Sequence, residues 1–465
     1  MKQNTALIEA AKSRRERLGA TLRSHPAVQS TGAAPAALLF SPRTAIRNAS
    51  VEHEFRADSD IAYLTAFEEP ETVLLLLPEE DGCRTVLFVR PRDKEREIWD
   101  GRREGPEGVC ANYGIDEAYP TDALGKELPR LLKGRGAIFS HLGRNTEDDQ
   151  QMLSAVARVR AGCRKKGVWP RLFVDLSAAL HEMRQCKDAG EVASLEQASR
   201  ATAQGHLQAM KGVRPGLLES DLEAVLTYAF RREGARRHGY QPIVAGGENA
   251  CILHYIENDA PLRAGELVLI DAGAEFQLYT GDVTRTFPVS GTFTQPQKEI
   301  YEIVLAANEA AIAAAKPGAT LSELDQIARR ELAKGLIRLQ ILDVDQQSAV
   351  TKLPFEGMPE GHPGKAPLDR FYMHSTGHWL GMDVHDVGAY HDGGVPTPFV
   401  PGMVFTVEPG LYFAPDDESV APAYRGIGVR IEDNILISQD GHRVLSAAVP
   451  KAVAELEALV GTEPL

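Results

Sequence analysis

A pattern of helix, stop and second helix occurs twice in the second half of the chain. Pro215-Gly216 precedes Ser220-Asp221-Leu222, and 102 residues later Pro317-Gly318 precedes Ser322-Glu323-Leu324. A Pro-Gly pair ends a helix, and a serine followed by an acidic residue is typical of the next helix start. Residues 301–316, before the second stop, have the 3.6-residue apolar period of a helix. Two matched units predict a domain of two related halves, and sites often lie between such halves.

The first part of the chain predicts a separate mixed α/β domain. We predict helices over 7–24, 121–133 and 146–160, strands over 36–40 and 136–142, and a hairpin of strands 72–77 and 85–89 around the turn at 78–82. A short basic stretch that includes residues 164–166 follows and is typical of a solvated linker. We therefore predict an α+β protein with a smaller first domain over residues 1–175 and a larger second domain over residues 176–465.

Composition excludes several classes of protein. The chain has 465 residues, of which 43% are hydrophobic and 25% charged, as in an ordinary globular protein. Its net charge of −14 argues against nucleic-acid binding, because phosphates repel an acidic surface. The 5 cysteines are scattered without a CxxC pair, which argues against a disulfide framework and a cysteine-based zinc site. We read no signal peptide and no transmembrane helix in the sequence, so we expect a cytoplasmic protein.

Two aspartates are expected at the ends of neighbouring strands. Asp271 follows the apolar run 267–270, and Asp282 lies eleven residues further on, after a predicted turn. Strands joined in this way would bring both carboxylates side by side, where a divalent cation would remove their repulsion. The alternative is that each aspartate pairs with a nearby arginine such as Arg285. The residues alone leave both interpretations open.

Three histidines lie between residues 374 and 385. His374 and His378 have the spacing of a helical zinc pair, but the glutamate that follows the first histidine in that motif is missing. Gly377 disfavours a helix, so we predict an extended or looped segment. A single histidine usually has a structural role, but three so close together, with His385, predict a functional site.

Two glutamates complete the set of candidates. Glu408 ends an apolar strand directly before Pro409-Gly410, and Glu432 is predicted inside one strand that begins at Gly428 and continues through residue 437. Each has a simpler interpretation. Glu408 would cap a strand end in water, and Glu432 would form an ion pair with Arg430, which shares its face of the strand.

Together these residues offer four carboxylates and one imidazole, namely Asp271, Asp282, His378, Glu408 and Glu432. Such a set suits Mn²⁺, and Zn²⁺, Co²⁺ and Fe²⁺ also accept it. Five side chains, some of them bridging, suffice for two ions roughly 3.5 Å apart that share a water and hold a hydroxide for attack on a carbonyl carbon.

The order and flanks of these five residues resemble the pita-bread metallopeptidases, and more narrowly the aminopeptidase P (Xaa-Pro aminopeptidase) family. The resemblance covers nearly the whole chain, because Asp58-Ser59-Asp60-Ile61-Ala62-Tyr63-Leu64-Thr65 and Glu97-Ile98-Trp99-Asp100-Gly101-Arg102-Arg103 are similar to the first domain of that family. The matching motifs of the second domain are Ile270-Asp271-Ala272-Gly273, Gly281-Asp282-Val283-Thr284-Arg285-Thr286, His378-Trp379-Leu380-Gly381, Val384-His385-Asp386-Val387-Gly388, Thr406-Val407-Glu408-Pro409-Gly410 and Gly428-Val429-Arg430-Ile431-Glu432-Asp433.

The resemblance implies a fold, an activity and a role for each residue. The second domain should be a pita-bread domain, with two related αβ halves around a curved, mainly antiparallel sheet. The activity should be hydrolysis of the first peptide bond of peptides with proline in second position, in a dimer or tetramer. Asp271 should bind one of two Mn²⁺ ions, Asp282 and Glu432 should bridge both, and His378 and Glu408 should complete the second.

The remaining assignments also follow from the resemblance. The catalytic residues should be Glu408, which also transfers a proton, His385, which stabilises the tetrahedral intermediate, and His254, His374 and Arg430. Arg430 should orient Glu432 or Tyr412. The substrate contacts should be His254, His385, Tyr390, Tyr412 and, from a neighbouring subunit, Trp99. The chain departs from the family at Gly393-Gly394-Val395, where an arginine is common, and at 351–370, a longer segment expected to form a lid or an oligomer contact.

The same residues also allow two functions other than the aminopeptidase. A prolidase would cleave only Xaa-Pro dipeptides, and the motifs of the first domain favour the aminopeptidase over it. A non-catalytic peptide-binding scaffold of the same fold would usually have lost ligands, whereas all five are present here.

Overall fold

The computed structural model describes residues 5–163, 167–353 and 364–464. The chain divides into two compact units, Met1–Met183 and Arg184–Leu465. Residues 164–166 of the basic stretch and 354–363 of the predicted lid or oligomer contact lie outside the described residues. Within the described residues, no helix combines the length and the apolar character that a membrane span requires.

A six-stranded mixed sheet forms the centre of the first unit. From edge to edge its strands are Glu117–Pro120, Gly82–Val89, Val73–Glu79, Pro35–Phe40, Ala137–Ser140 and Leu172–Asp175. The hairpin of Val73–Glu79 and Gly82–Val89 is antiparallel, as the turn sequence between the two apolar runs predicts. The four leucines at 74–77 are fully buried, because both faces of the sheet are covered.

The helices of the first unit pack around this sheet. Helices lie at Thr5–Ser24, Pro26–Gln29, Ser59–Thr65, Lys94–Asp100, Gly105–Tyr113, Leu124–Leu131 and Thr146–Gly162, with a 3₁₀ turn at Thr121–Ala123 and an exposed hairpin at Ile46–Asn48 and Val51–Glu52. The helix Ser177–Gln185 contains the division at Met183. The helices and strands predicted for this part of the chain are therefore confirmed, with ends that differ by a few residues.

Two helix pairs in the second unit match the repeat. Ala189–Gly212 precedes Glu219–Arg232, and Gln295–Ala314 precedes Leu321–Arg338, with each Pro-Gly between the members of a pair. The helix Leu321–Arg338 is capped by Thr320, whose hydroxyl accepts a hydrogen bond from the Glu323 amide. Shorter helices follow at Gln346–Val350 and Val453–Leu459, with 3₁₀ turns at Gly247–Cys251 and Pro367–Arg370.

Short antiparallel strands connect the helix pairs. They are Arg237–His238, Ile243–Gly246, Leu267–Ala272, Ala274–Phe276, Tyr279–Thr280, Val283–Pro288, His391–Asp392, Val395–Pro396, Val404–Val407, Gly410–Tyr412, Gly428–Arg430, Asp433–Ile437 and His442–Val444. One apolar core includes residues from both helix pairs and from the strands of both halves, for example Leu226, Ile270, Ile303 and Ile435. This shared core fixes the strand ends that carry the candidate ligands.

Candidate metal centre

Both candidate glutamates lie where a strand pair is interrupted. Val404–Val407 pairs with Asp433–Ile437, whereas Gly410–Tyr412 pairs with Gly428–Arg430. Glu408 and Glu432 occupy the gap between these two ladders. The prediction of one strand from Gly428 through residue 437 is therefore wrong, because Pro409 has no N–H to continue the ladder at this point.

The two aspartates come from adjacent strands, as predicted. Asp271 pairs in register with Thr284, and Asp282 immediately precedes the strand that contains Thr284. The hydroxyl oxygen of Tyr240 lies 2.6 Å from Asp271 Oδ1 and 2.5 Å from Asp282 Oδ1. Because the hydroxyl oxygen of one tyrosine lies within hydrogen-bond distance of both acids, the two carboxylates lie close together.

His378 completes the convergence from the other half of the unit. Its Nε2 lies 3.3 Å from Asp282 Oδ2 and 3.4 Å from Glu408 Oε1. Potential ligand atoms of Asp282, His378 and Glu432 all lie within 4.8 Å of one another. The segment around His378 is not helical, as Gly377 predicts. A Cβ at Gly377 would overlap the carbonyl oxygen of Thr406, so this close approach requires glycine.

Neighbouring polar groups hold these side chains in place. His378 Nδ1 donates to the carbonyl of Trp379 at 3.0 Å, which leaves Nε2 facing the carboxylates. The Thr284 hydroxyl donates to Glu432 Oε2 at 2.7 Å, and the Thr406 hydroxyl donates to Glu408 Oε1 at 3.2 Å. These hydrogen bonds orient the carboxylates of Glu432 and Glu408.

The arginines pair differently from the simple alternatives. Arg285 is fully buried and donates to Asp433 Oδ1 at 2.7 Å, so the alternative in which it neutralises Asp271 or Asp282 is wrong. Arg430 donates to Asp271 Oδ2 at 2.7 Å and to the hydroxyl of Tyr412 at 2.9 Å. The ion pair proposed for Glu432 is therefore formed by Asp271 instead, while Glu432 accepts a hydrogen bond from the Thr284 hydroxyl.

A chain of hydrogen bonds leads outward from Arg430. Tyr412 accepts from Arg430 and donates to His374 Nε2 at 2.8 Å, and His374 Nδ1 donates to the Ser375 carbonyl at 2.8 Å. Burial, reinforced by the charge of Arg430, lowers the pKa of His374 to about 3. His374 is therefore neutral at physiological pH, and its direction of hydrogen bonding is fixed.

The site concentrates negative charge away from water. Burial and the charges of Asp282, Glu408 and Asp271 raise the pKa of Glu432 well above its ordinary value. Burial likewise raises the pKa of Glu408 to about 7. Burial alone would lower the pKa of His378, but Asp282 and Glu408 outweigh it and raise it to about 9. Arg430 covers Asp271, whereas the other three acids converge where a cation would be favourable.

The five candidate ligands open onto a cavity of about 880 Å³. The predicted substrate contacts His254, His385 and Tyr390 line the same cavity, together with His374 and Arg430 from the predicted catalytic set. Tyr412 is buried beside it through its bond to Arg430. Trp99, on the helix Lys94–Asp100 of the first unit, is 85% exposed.

Sequence reasoning missed several residues that shape the centre. Tyr240, which touches both aspartates, has no local signal in the chain. Thr284 lies two residues after Asp282, and its position opposite Asp271 in the strand register could have indicated its role. Thr406 lies two residues before Glu408, on the same face of the strand.

A second cluster of potential ligands lies in the first unit. Asp60 Oδ2 is 3.0 Å from His141 Nε2 and 3.3 Å from His181 Nε2. This cluster offers one carboxylate for two imidazoles. The centre in the second unit has four carboxylates for one imidazole and fits divalent cations far better.

Comparison with known proteins agrees with this geometry. Residues 193–439 match metallopeptidase family M24, and residues 11–139 match the aminopeptidase P N-terminal domain. The chain belongs to metallopeptidase family M24 and has the domain composition of its aminopeptidase P members. It is a metal-dependent hydrolase, and the predicted α+β fold class with a pita-bread second domain is confirmed.

Individual relatives match over almost their full length. The Xaa-Pro aminopeptidase of Escherichia coli (strain K12) is 42% identical over 426 residues, which are 91% of this chain and 93% of the relative. The structure of Pseudomonas aeruginosa aminopeptidase PepP is 43% identical, with a TM-score of 0.89 over 97% of each chain. Zinc-substituted E. coli aminopeptidase P in complex with product is 40% identical, with a TM-score of 0.89 over 97% of this chain and 98% of that chain.

Proposed function

We propose that this chain is an aminopeptidase that hydrolyses the first peptide bond of peptides with proline in second position. The observation that carries the proposal is the convergence of Asp282, His378 and Glu432, with Asp271 and Glu408 beside them, in one large cavity. The near-full-length similarity to proteins named Xaa-Pro aminopeptidase supports the substrate class.

Two divalent cations, Mn²⁺ by preference, would be held by these five side chains, with Zn²⁺, Co²⁺ or Fe²⁺ as substitutes. Asp271 would bind one ion, Asp282 and Glu432 would bridge both, and His378 and Glu408 would complete the second. When bound, such ions would lower the pKa of a water and so supply a hydroxide for attack on the carbonyl carbon.

The side chains of the protein carry the proton and hold the substrate. Glu408 would accept the proton of the attacking water and deliver it to the proline nitrogen as the peptide bond breaks. His385 would donate a hydrogen bond to the oxyanion that forms on the carbonyl oxygen. His254 would contact the substrate, His374 would line the site, and Arg430 would hold Asp271 and Tyr412 in place.

The preference for proline has a physical reason. The Xaa-Pro bond is a tertiary amide without an N–H, and the pyrrolidine ring fixes φ. A pocket lined by His254, His385 and Tyr390, with Tyr412 buried beside it, would accept the ring without requiring that N–H. A free α-amine bound by a metal or by Asp271 would limit cleavage to the first residue.

We also propose the assignments that lie beyond the site itself. The aminopeptidase-P-like domain would span residues 1–175 and the catalytic domain 176–465. Trp99 would reach the substrate of a neighbouring subunit in a dimer or tetramer, which agrees with its exposure. The protein would act in the cytoplasm on peptides, without binding nucleic acid or membranes.

Substitution of Glu408 tests the mechanism. Glu408→Ala should abolish turnover of an Xaa-Pro peptide while the fold survives, because the side chain contributes a ligand and a proton carrier and its backbone lies in a supported strand end. Steady-state kinetics and circular dichroism measure both. Glu418→Ala, at an exposed acid outside the centre, is the matched control. A kcat near that of the unsubstituted enzyme would refute the role of Glu408.

The choice between aminopeptidase and prolidase needs two substrates. We expect turnover of the tripeptide Arg-Pro-Pro, with release of arginine, to exceed turnover of the dipeptide Ala-Pro. Mass spectrometry of the products distinguishes cleavage at the first bond from any other. Hydrolysis of the dipeptide alone would favour a prolidase, and binding of either peptide without hydrolysis would favour the scaffold.

A further inference from the structure

A buried cluster of charges lies beside the candidate centre, outside the set of proposed ligands. Lys187 Nζ donates to Asp386 Oδ2 at 2.9 Å, and Arg184 Nη2 donates to Asp386 Oδ1 at 2.7 Å. The side chains of Lys187 and Asp386 are each 1% exposed. Burial opposes the ionisation of Asp386, but Lys187 and Arg184 outweigh it and lower its pKa. Asp386 is therefore ionised, and each of its two carboxylate oxygens accepts a hydrogen bond from a cationic side chain.

The backbone around this cluster leaves it little freedom. The Lys187 amide donates to the Gly402 carbonyl at 2.9 Å, and the Asp386 amide donates to the Trp379 carbonyl at 2.9 Å. A Cβ at Gly381 would overlap Asp386 Oδ2, so the carboxylate lies directly against the backbone of the loop that follows Trp379. The loop 381–386 is thus fixed at its end through the side chain of Asp386.

His385, the residue before Asp386, faces the opposite way. Asp386 is buried, whereas His385 is exposed and lines the cavity. The His385 ring meets His378 edge to face, with ring centres 4.4 Å apart. Across residues 5–163, 167–353 and 364–464, the structure has no hydrogen bond to the His385 ring, so the position of the ring depends on its backbone.

We propose that Lys187 is a positioning residue, which anchors Asp386 and thereby holds the His385 imidazole at the reacting carbonyl. This inference rests on the role proposed above for His385. Loss of the ammonium would leave the buried Asp386 with one of its two cations, and the loop would relax toward water. A displacement of about 1 Å in a group that stabilises a transition state lowers catalysis by about 10²-fold.

A double-mutant cycle tests the proposal. We expect Lys187→Met to lower kcat/KM about 10- to 100-fold in the otherwise unsubstituted enzyme, mainly through kcat. In the His385→Ala background the same substitution should change kcat/KM less than about threefold, because the group that Lys187 positions is gone. Equal losses in both backgrounds, or no loss in the first, would overturn the proposal.

Two controls separate positioning from general damage. Leu226→Ala, in the core on the helix Glu219–Arg232, should lower the midpoint of thermal unfolding without lowering kcat well below that midpoint. If Lys187→Met does not fold, Asp386→Asn removes the same ion pair with an isosteric side chain, and the same cycle applies to it.

A measurement independent of activity separates this proposal from the proposed function. With histidines labelled at ¹³Cε1, the signal of His385 is identified by its absence in His385→Ala. We expect Lys187→Met to shift or broaden that signal and to leave the signal of His442 unchanged. An unchanged His385 signal would refute the positioning role even in an active enzyme. Absence of Xaa-Pro turnover in the unsubstituted protein would refute the proposed function, while the NMR comparison would still decide the role of Lys187.

Discussion

Acidification should destabilise the second unit through His206. This histidine lies on the helix Ala189–Gly212, is fully buried, and donates through Nε2 to the carbonyl of Ala272 at 3.0 Å. Burial lowers the pKa of His206 from 6.5 to about 4. The unfolded chain therefore binds this proton more readily than the folded protein does. The contribution of neutral His206 to the free energy of unfolding is complete above about pH 6.5, and it is lost as the pH falls toward about 4.

The size of the effect follows from the two pKa values. Between pH 7.5 and pH 5, the linkage relation gives a loss of about 2 kcal/mol in the free energy of unfolding from this one group. His206→Gln retains a donor for Ala272 but does not titrate. Its free energy of unfolding should therefore fall by about 2 kcal/mol less than that of the unsubstituted protein over the same interval.

The assay needs a reporter for the second unit alone. Of the 3 tryptophans, Trp99 and Trp169 belong to the first unit and Trp379 to the second. In a Trp99→Phe, Trp169→Phe background, Trp379 fluorescence follows denaturation of the second unit at each pH. His53→Gln, at an exposed histidine, is the control and should not alter the pH dependence. The same pH dependence in His206→Gln as in the background protein would refute the reasoning.

Three further predictions concern the centre and its support. Gly273→Ala should weaken metal binding at least tenfold, because a Cβ there would overlap the Gly281 carbonyl and separate Asp271 from Asp282. The metal content of the protein after dialysis measures this effect. Gly441→Ala, where a Cβ meets no other atom, is the control. Arg285→Met should lower the free energy of unfolding, measured by Trp379 fluorescence, by about 3–5 kcal/mol, because it leaves Asp433 buried with one cation fewer. A loss below about 1 kcal/mol would contradict this prediction. Chelation should abolish turnover and Mn²⁺ restore it, and activity that persists after verified metal loss would exclude the two-ion mechanism.

Local sequence patterns predicted much of the secondary structure and all the candidate ligands. The hairpin of the first unit followed from two apolar runs around a turn sequence, and the paired helices followed from the repeated Pro-Gly stops. The five ligand candidates could be chosen because four acids and a histidine stand on or next to predicted strands, where a buried charge needs a partner. Gly377 likewise predicted a non-helical segment at His378.

Tertiary structure decided which charges neutralise which. Arg285 is three residues from Asp282 in the chain, yet it bonds to Asp433, and Arg430 bonds to Asp271 rather than to Glu432. Pairing depends on strand register and on the break at Pro409, and neither is encoded by spacing along one segment. Tyr240 and Lys187 were missed for the same reason, since their partners lie 31 to 199 residues away in the chain.

The chain by itself thus determined which residue types stand on or next to the strands and how the helices are paired, because apolar periods, helix caps and turns depend on a few neighbouring residues. Only the fold decided that the acids face one another and that Arg430 covers just one of them. It also decided that the loop bearing His385 is anchored by a buried lysine. Those outcomes depend on distances between segments that a shared core brings together.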